Sequence, residues 1–121
     1  MKIPGPDHPI TIAPHRTRVR VTFNGRVVAD TKRALRLQEA SYPAVFYIPR
    51  EDADQSLLER TATSTHCPYK GDASYYSITA GDKTAADAIW SYEQPFPAMN
   101  DIAGHLAFYP KRVDAITEEQ A

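Results

Sequence analysis

The stretch that most limits how this chain can fold is "RVRVTFNGRVVAD", residues 18–30. Val19, Val21 and Phe23 alternate with Arg18, Arg20 and Thr22, which is the period of a strand with one apolar and one polar face. Asn24-Gly25 follows at once, and this pair accepts the two positive φ angles of a tight type I′ hairpin turn. "RVVAD" then returns as the second strand. The chain therefore starts its ordered body as an antiparallel hairpin.

Further short segments continue the pattern. "ALRLQE" alternates Leu35, Leu37 and Glu39 as a strand does, although Ala, Leu, Arg and Gln favour helix and Asp30 or Thr31 could cap one. Pro43 and the neighbouring strands decide it as strand. "AVFYI" is β-branched and aromatic, a short buried strand closed by Pro49. "REDADQSLLER" is acidic at its start and basic at its end, which predicts one short helix near residues 51–60. "TATSTHC" and "DASYYSIT" flank a Pro-Tyr-Lys-Gly turn and read as two strands. "ADAIWSYE" sets Ala88, Trp90 and Tyr92 on one face and Ile89, Ser91 and Glu93 on the other. "PFPAMNDIAG" is a loop with a helical turn, and "HLAFYP" and "RVDAI" complete the strands. The sum is a mainly β single small domain of short antiparallel strands over residues 18–116. Residues 1–17 hold four of the ten prolines and predict an extended N-terminal arm, either loose or laid across the body, and 117–121 a frayed acidic tail.

With 121 residues the chain suits one domain whose core needs no covalent staple. Its single cysteine forms no internal disulfide, and no stretch approaches the ~18 apolar residues of a membrane span. "MKIPGPDHPITIAPHR" lacks the apolar segment of a secretory signal, so a cytoplasmic protein is expected. Charge is uneven: residues 1–50 carry nine Lys/Arg against three Asp/Glu, and residues 51–121 five against twelve. The basic residues are spaced rather than clustered, which points to two halves that attract each other rather than to nucleic acid.

Taken together, "VADTKRALRLQE", "YPAVFYIPRED", "THCPYKGDASYY", "AIWSYEQPFPA" and "IAGHLAFYPKRVD" resemble the bacterial domain-of-unknown-function family 427 from about residue 18 to 114. The resemblance implies a β-tent, a curled antiparallel assembly shared with methionine-R-sulfoxide reductases and several zinc-binding domains. It implies no assigned activity. A nucleotidyltransferase reading finds no support in the residues. The five glycines stand far apart, and neither a phosphate loop nor a Gly-x-Ser-x-Gly elbow occurs. Zinc in related tents is held by paired Cys-x-x-Cys motifs. Cys67 with His8, His15, His66 and His105 does not supply that spacing, so no metal and no cofactor are expected.

Two chemistries remain open. Cys67 precedes a proline, which holds it extended at a strand end, and Lys70 lies across the turn. His66 points to the opposite face. A nearby lysine favours the thiolate, the state of a redox or transfer nucleophile, whereas a free cysteine also commonly packs as a small apolar residue. A sulfoxide-reductase cycle would want a second, resolving cysteine, and the chain has none. The other constellation is aromatic and polar. Tyr47, Tyr69, Tyr76, Trp90, Tyr92, Phe108 and Tyr109 either line a pocket or form the core, with Asp30, Arg33, Glu39, Lys70 and Glu93 as polar anchors. Glu39, on the apolar face of its strand, needs a partner such as Arg33 or Lys70. The function expected is a binding module for a small polar ligand or peptide around the Cys-Pro-Tyr-Lys-Gly turn. A small enzyme using Cys67 and Lys70 is the alternative. Neither nucleic acid nor membrane is expected as a partner, and a monomer or a homodimer paired through a sheet edge both fit.

Overall fold

Asn24 and Gly25 take φ of 50° and 76° in the computed structural model, the two positive angles that the tight turn requires. The structure describes residues 1–119. Around the turn, β2 (Arg18–Phe23) pairs with β3 (Arg26–Thr31), and Val19, Val21 and Phe23 are all buried. The other strands among the described residues are β1 (Ile10–His15), β4 (Ala34–Glu39), β5 (Val45–Tyr47), β6 (Leu58–Cys67), β7 (Gly71–Ala80), β8 (Lys83–Ser91), β9 (Ala107–Phe108) and β10 (Ala115–Glu119). All pairings between them are antiparallel. The strand orders are β1-β4-β5, β10-β2-β3 and β6-β7-β8-β9.

The sheets join without closing into a barrel. Ile48 and Leu106 exchange two backbone hydrogen bonds of 2.8 Å, which continue β5 toward β9. Ala29 of β3 bridges Ala53. Asn24 then ties the hairpin to the far end of β7 by donating from Nδ2 to the Ala80 carbonyl at 2.8 Å. Between the sheets lie two apolar clusters. One gathers Val19, Val21, Val28, Ile48, Ile78, Ile89 and Leu106 with Phe108. The other gathers Leu37, Tyr47, Tyr75, Tyr92, Met99 and Ile102, and the candidate site opens from it.

Three expectations are revised. Residues 51–60 form two single-turn 3-10 helices, Arg50–Asp52 and Gln55–Leu57, and β6 begins at Leu58. Bridging of Ala53 to Ala29 interrupts any longer helix, and Leu58 is claimed by pairing with Ile78. Tertiary pairing overrides the local charge pattern. The arm is a sheet strand over its second half: Ile10 pairs with Glu39 and His15 with Ala34, which covers the free edge of β4. Pro14 is tolerated there because β1 is an edge strand. The tail is also paired, from Ala115 opposite Thr22 to Glu119 opposite Arg18. Only residues 120 and 121 of the expected frayed segment lie outside the described residues.

Pairs between the acidic and basic halves follow from these pairings. Glu118 meets His15 at 2.7 Å, and Arg33 meets Glu51 and Asp52 at 3.1 Å. No helix among the described residues is long and apolar enough to cross a membrane.

Gly71, which opens β7, has φ of +112°, and a β-carbon there would meet Phe96 N at 3.5 Å, an ordinary contact. The constraint is backbone conformation, not space. Gly71→Ala is therefore expected to cost about 1–3 kcal/mol in urea unfolding. Gly5→Ala, with nothing within 4 Å, is the control and should change stability by little.

Candidate functional site

Lys70 is the residue around which the site is built. The turn between β6 and β7 is fastened on both sides, because the Pro68 carbonyl accepts from Lys2 N at 2.7 Å and the Lys70 carbonyl from Phe96 N at 2.9 Å. So held, the turn sends the Lys70 side chain inward, where it is only 8% exposed. Its ammonium pairs with Glu39 Oε1. The other carboxylate oxygen, Oε2, meets His8 Nε2 at 2.7 Å. Burial pushes the Glu39 carboxyl up, but hydrogen bonds from Lys70 and His8 outweigh it and leave the group below its ordinary value.

The pair floors a hollow of about 210 Å³. Leu37 and Glu39 of β4, Val45 and Tyr47 of β5, and Tyr42 and Pro43 of the loop between them form one wall. Tyr75 of β7, Trp90 of β8, Tyr92 and Tyr109 form the other. Trp90 Nε1 donates to the Tyr47 hydroxyl at 3.2 Å, and the Trp90 and Tyr109 rings lie 4.4 Å apart. Tyr75 and Tyr109 join hydroxyls at 3.3 Å, and Thr65 Oγ1 meets the Tyr75 hydroxyl at 3.0 Å. Burial raises the Tyr47 and Tyr92 hydroxyls well above the ordinary tyrosine value and takes Tyr109 to about 12. These phenols therefore stay protonated, as hydrogen-bond donors, near neutral pH.

Of the residues singled out in the sequence, Glu39, Tyr47, Lys70, Trp90, Tyr92 and Tyr109 meet in this hollow. Cys67 does not line it but packs against the second cluster, half-buried, with Sγ 3.7 Å from Lys70 Nζ. The remaining candidates are placed elsewhere. Arg33 is 60% exposed and pairs with Glu51 and Asp52; six residues of strand, roughly 20 Å, separate it from Glu39. Tyr69 stacks on His8 with centroids 4.1 Å apart, outside the hollow. Asp30 accepts from Arg18 Nε at 2.7 Å, and Phe108 packs in the first cluster. Tyr76 and Glu93 form a separate network in which Glu93 Oε2 accepts from the Tyr76 hydroxyl at 2.8 Å and from Arg50 at 3.3 Å. Arg60 reaches Glu93 Oε1 at 3.0 Å.

Local partners and ladder register explain these separations. Glu93 lies two residues beyond the end of β8 and is drawn to Tyr76, Arg50 and Arg60, away from Trp90 and Tyr92. The residue that does join Trp90 is Tyr75, its partner across the β7–β8 ladder, while Tyr76 pairs with Ile89. Tyr75, Leu37, Val45 and His8 were not anticipated, and the adjacent tyrosines needed the ladder register to be told apart. His66, expected to turn away from Cys67, bonds Asp72 at 2.7 Å. Among the described residues no cluster of three or more His, Cys, Asp or Glu is arranged to hold a metal.

Fold and hollow together define a small, mainly β protein with antiparallel, unclosed sheets and a tyrosine-rich recess over a buried ion pair. The model of the domain of unknown function DUF427 matches residues 11–119, and the chain belongs to that family. The match takes in most of the arm strand and all of β10, beyond the 18–114 expected from motifs. No curated protein matches the chain.

The buried pair makes an asymmetric prediction. Glu39→Gln strands the ammonium of an 8% exposed lysine and should cost about 3 kcal/mol, whereas Lys70→Met leaves a carboxylate that water and His8 still reach and should cost less. Glu39 titrates below its ordinary 4.5, so its contribution is complete above that pH and fades as pH falls through the depressed value. The stability gap between wild type and Glu39→Gln in urea should therefore shrink as pH falls below 4.5 toward the depressed value.

Proposed function

We propose that this protein is a binding module for a small polar ligand, with the tyrosine-rich hollow over Lys70 and Glu39 as its site. The observation that carries the reading is Tyr92. It is 7% exposed, it lines the hollow, and its hydroxyl makes no hydrogen bond among the described residues. Arg20 Nε is the one fully occluded polar side-chain atom without a partner there, so the Tyr92 hydroxyl opens onto space. A hydroxyl that faces open space with no partner in the chain can donate to a ligand acceptor, a bond worth about 0.5–1.5 kcal/mol net of the water it replaces. The walls are rich in aromatic rings with hydroxyls at their tips, which gives a ligand both contact area and polar groups to fix its orientation.

The test uses the chain's only tryptophan, Trp90, as an intrinsic reporter. A metabolite library screened by its fluorescence should yield a ligand whose affinity falls about three- to tenfold in Tyr92→Phe. If every ligand found binds Tyr92→Phe as well as wild type, the hollow is not the site.

The thiol-enzyme alternative has one observation in its favour, the 3.7 Å approach of Lys70 Nζ to Cys67 Sγ. Against it, the ammonium that would support a thiolate is already neutralised by Glu39. The binding reading predicts that Cys67→Ala binds the same ligands with unchanged affinity. Turnover of a ligand that disappears in Cys67→Ala would favour the enzyme instead.

A further inference from the structure

Trp90 borders more than the tyrosine hollow. Val45 and Trp90 also form one side of a second recess of about 260 Å³, completed by Val21, Phe46, Phe108 and Ile116. Among the described residues no charged side chain lines this groove. The two recesses therefore share a wall of two side chains, one polar in character and one apolar. A cavity of about 150 Å³ already takes benzene, so the groove has room for a ring or a short alkyl chain.

The polar side has a definite donor and charge balance. Tyr47 accepts from Trp90, which leaves its own hydroxyl proton without an acceptor among the described residues. Tyr92 likewise has a proton to give. Both oxygens of Glu39 are engaged, by Lys70 and by His8. The hollow thus offers two phenolic protons without a partner, while its two opposite charges cancel. A charged head group placed there would lack a counter-ion and bear an uncompensated desolvation penalty. An uncharged acceptor suffers neither.

Resting on the binding reading above, we propose that hollow and groove are one bipartite site for a small uncharged carbonyl compound with an apolar arm. The carbonyl oxygen accepts from Tyr47 and Tyr92, and the arm passes Trp90 into the groove between Phe46 and Ile116. Ketones, esters, lactones and amides share this chemistry.

Four probes separate the elements of the proposal in the intact protein: phenylacetamide, acetamide, phenylacetate and phenethylamine, read by Trp90 fluorescence and calorimetry. Phenylacetamide should bind at least tenfold more tightly than acetamide, which lacks the arm, and than the two charged analogues. Tyr92→Phe should weaken phenylacetamide about three- to tenfold. Ala44→Leu, which fills the groove from its rim, should reduce phenylacetamide to the level of acetamide and leave acetamide unchanged, with the urea midpoint confirming that the variant is folded. Equal or tighter binding of phenylacetate or phenethylamine overturns the uncharged head. Binding that responds to Tyr92→Phe but not to Ala44→Leu overturns the bipartite site and leaves the binding module standing. If phenylacetamide does not bind, the proposal falls, and the library screen against Tyr92→Phe decides the module separately.

Discussion

The pairing of Lys70 with Glu39 is the contact on which the arrangement of the site depends. A lysine is rarely so enclosed, and taking its ammonium out of water costs several kcal/mol unless a carboxylate answers it. Here the carboxylate comes from the end of β4, thirty-one residues away in sequence. The pair thus pins the turn between β6 and β7 to the sheet of β1, β4 and β5, two parts otherwise joined by the Ile48–Leu106 seam. His8 extends the tie to the arm through the second carboxylate oxygen. Three separate segments are therefore held by one acidic group. A hydrocarbon pair of the same volume would hold them as firmly. What it would not do is leave a polar floor beneath the tyrosines.

The backbone bears the mark of this arrangement. Each member of the pair is followed by a residue of positive φ: Ala40 at 48° after Glu39, and Gly71 at 112° after Lys70. Gln38 steadies the first of these by donating to the Tyr42 carbonyl at 2.6 Å. Glu39 is the last residue of β4 and Lys70 the residue before β7, so both charged side chains sit where a ladder meets a turn. An alanine at positive φ is uncommon and costs of order 1–3 kcal/mol. Conformations of this kind collect where geometry is being fixed for a purpose beyond stability.

Most of the fold was legible from period and turn chemistry. The Asn24-Gly25 hairpin and the alternation of Leu35, Leu37 and Glu39 needed no tertiary information, because a two-residue repeat and a positive-φ turn are local properties. The segment 51–60 was not legible, since its charge order favours a helix and only the partners Ala29 and Ile78 turn it toward 3-10 turns and strand. The pairing of residues 10–15 was hidden for a similar reason. Its prolines mark an arm, and the free edge of β4 that recruits it lies further along the chain, with His15 opposite Ala34 and Ile10 opposite Glu39. At the site, Glu39 with Lys70 was among the anticipated pairs. Arg33, also proposed for Glu39, was excluded only by distance along the strand. Glu93 was already assigned by parity to the face away from Trp90, and its inclusion with the ring set ignored that parity.

The two recesses beside Trp90 follow from the same alternation. Tyr47 lines the hollow and Phe46 the groove, as alternation along β5 requires, and Val45 borders both. On the neighbouring ladder Trp90 is long enough to border both. A polar compartment and an apolar one are thereby set side by side by a three-residue strand and one large ring, without any insertion into the fold. The tyrosine hydroxyls around the polar compartment then fall into two groups. Tyr75 and Tyr109 satisfy each other, with Thr65 beyond them, and belong to the structure. Tyr47 and Tyr92 each keep a proton unassigned at high local burial. Folding alone gains nothing from leaving two such donors open, because water or a phenylalanine in place of Tyr92 would serve the core equally well. An acceptor that arrives from outside the chain gives both a partner.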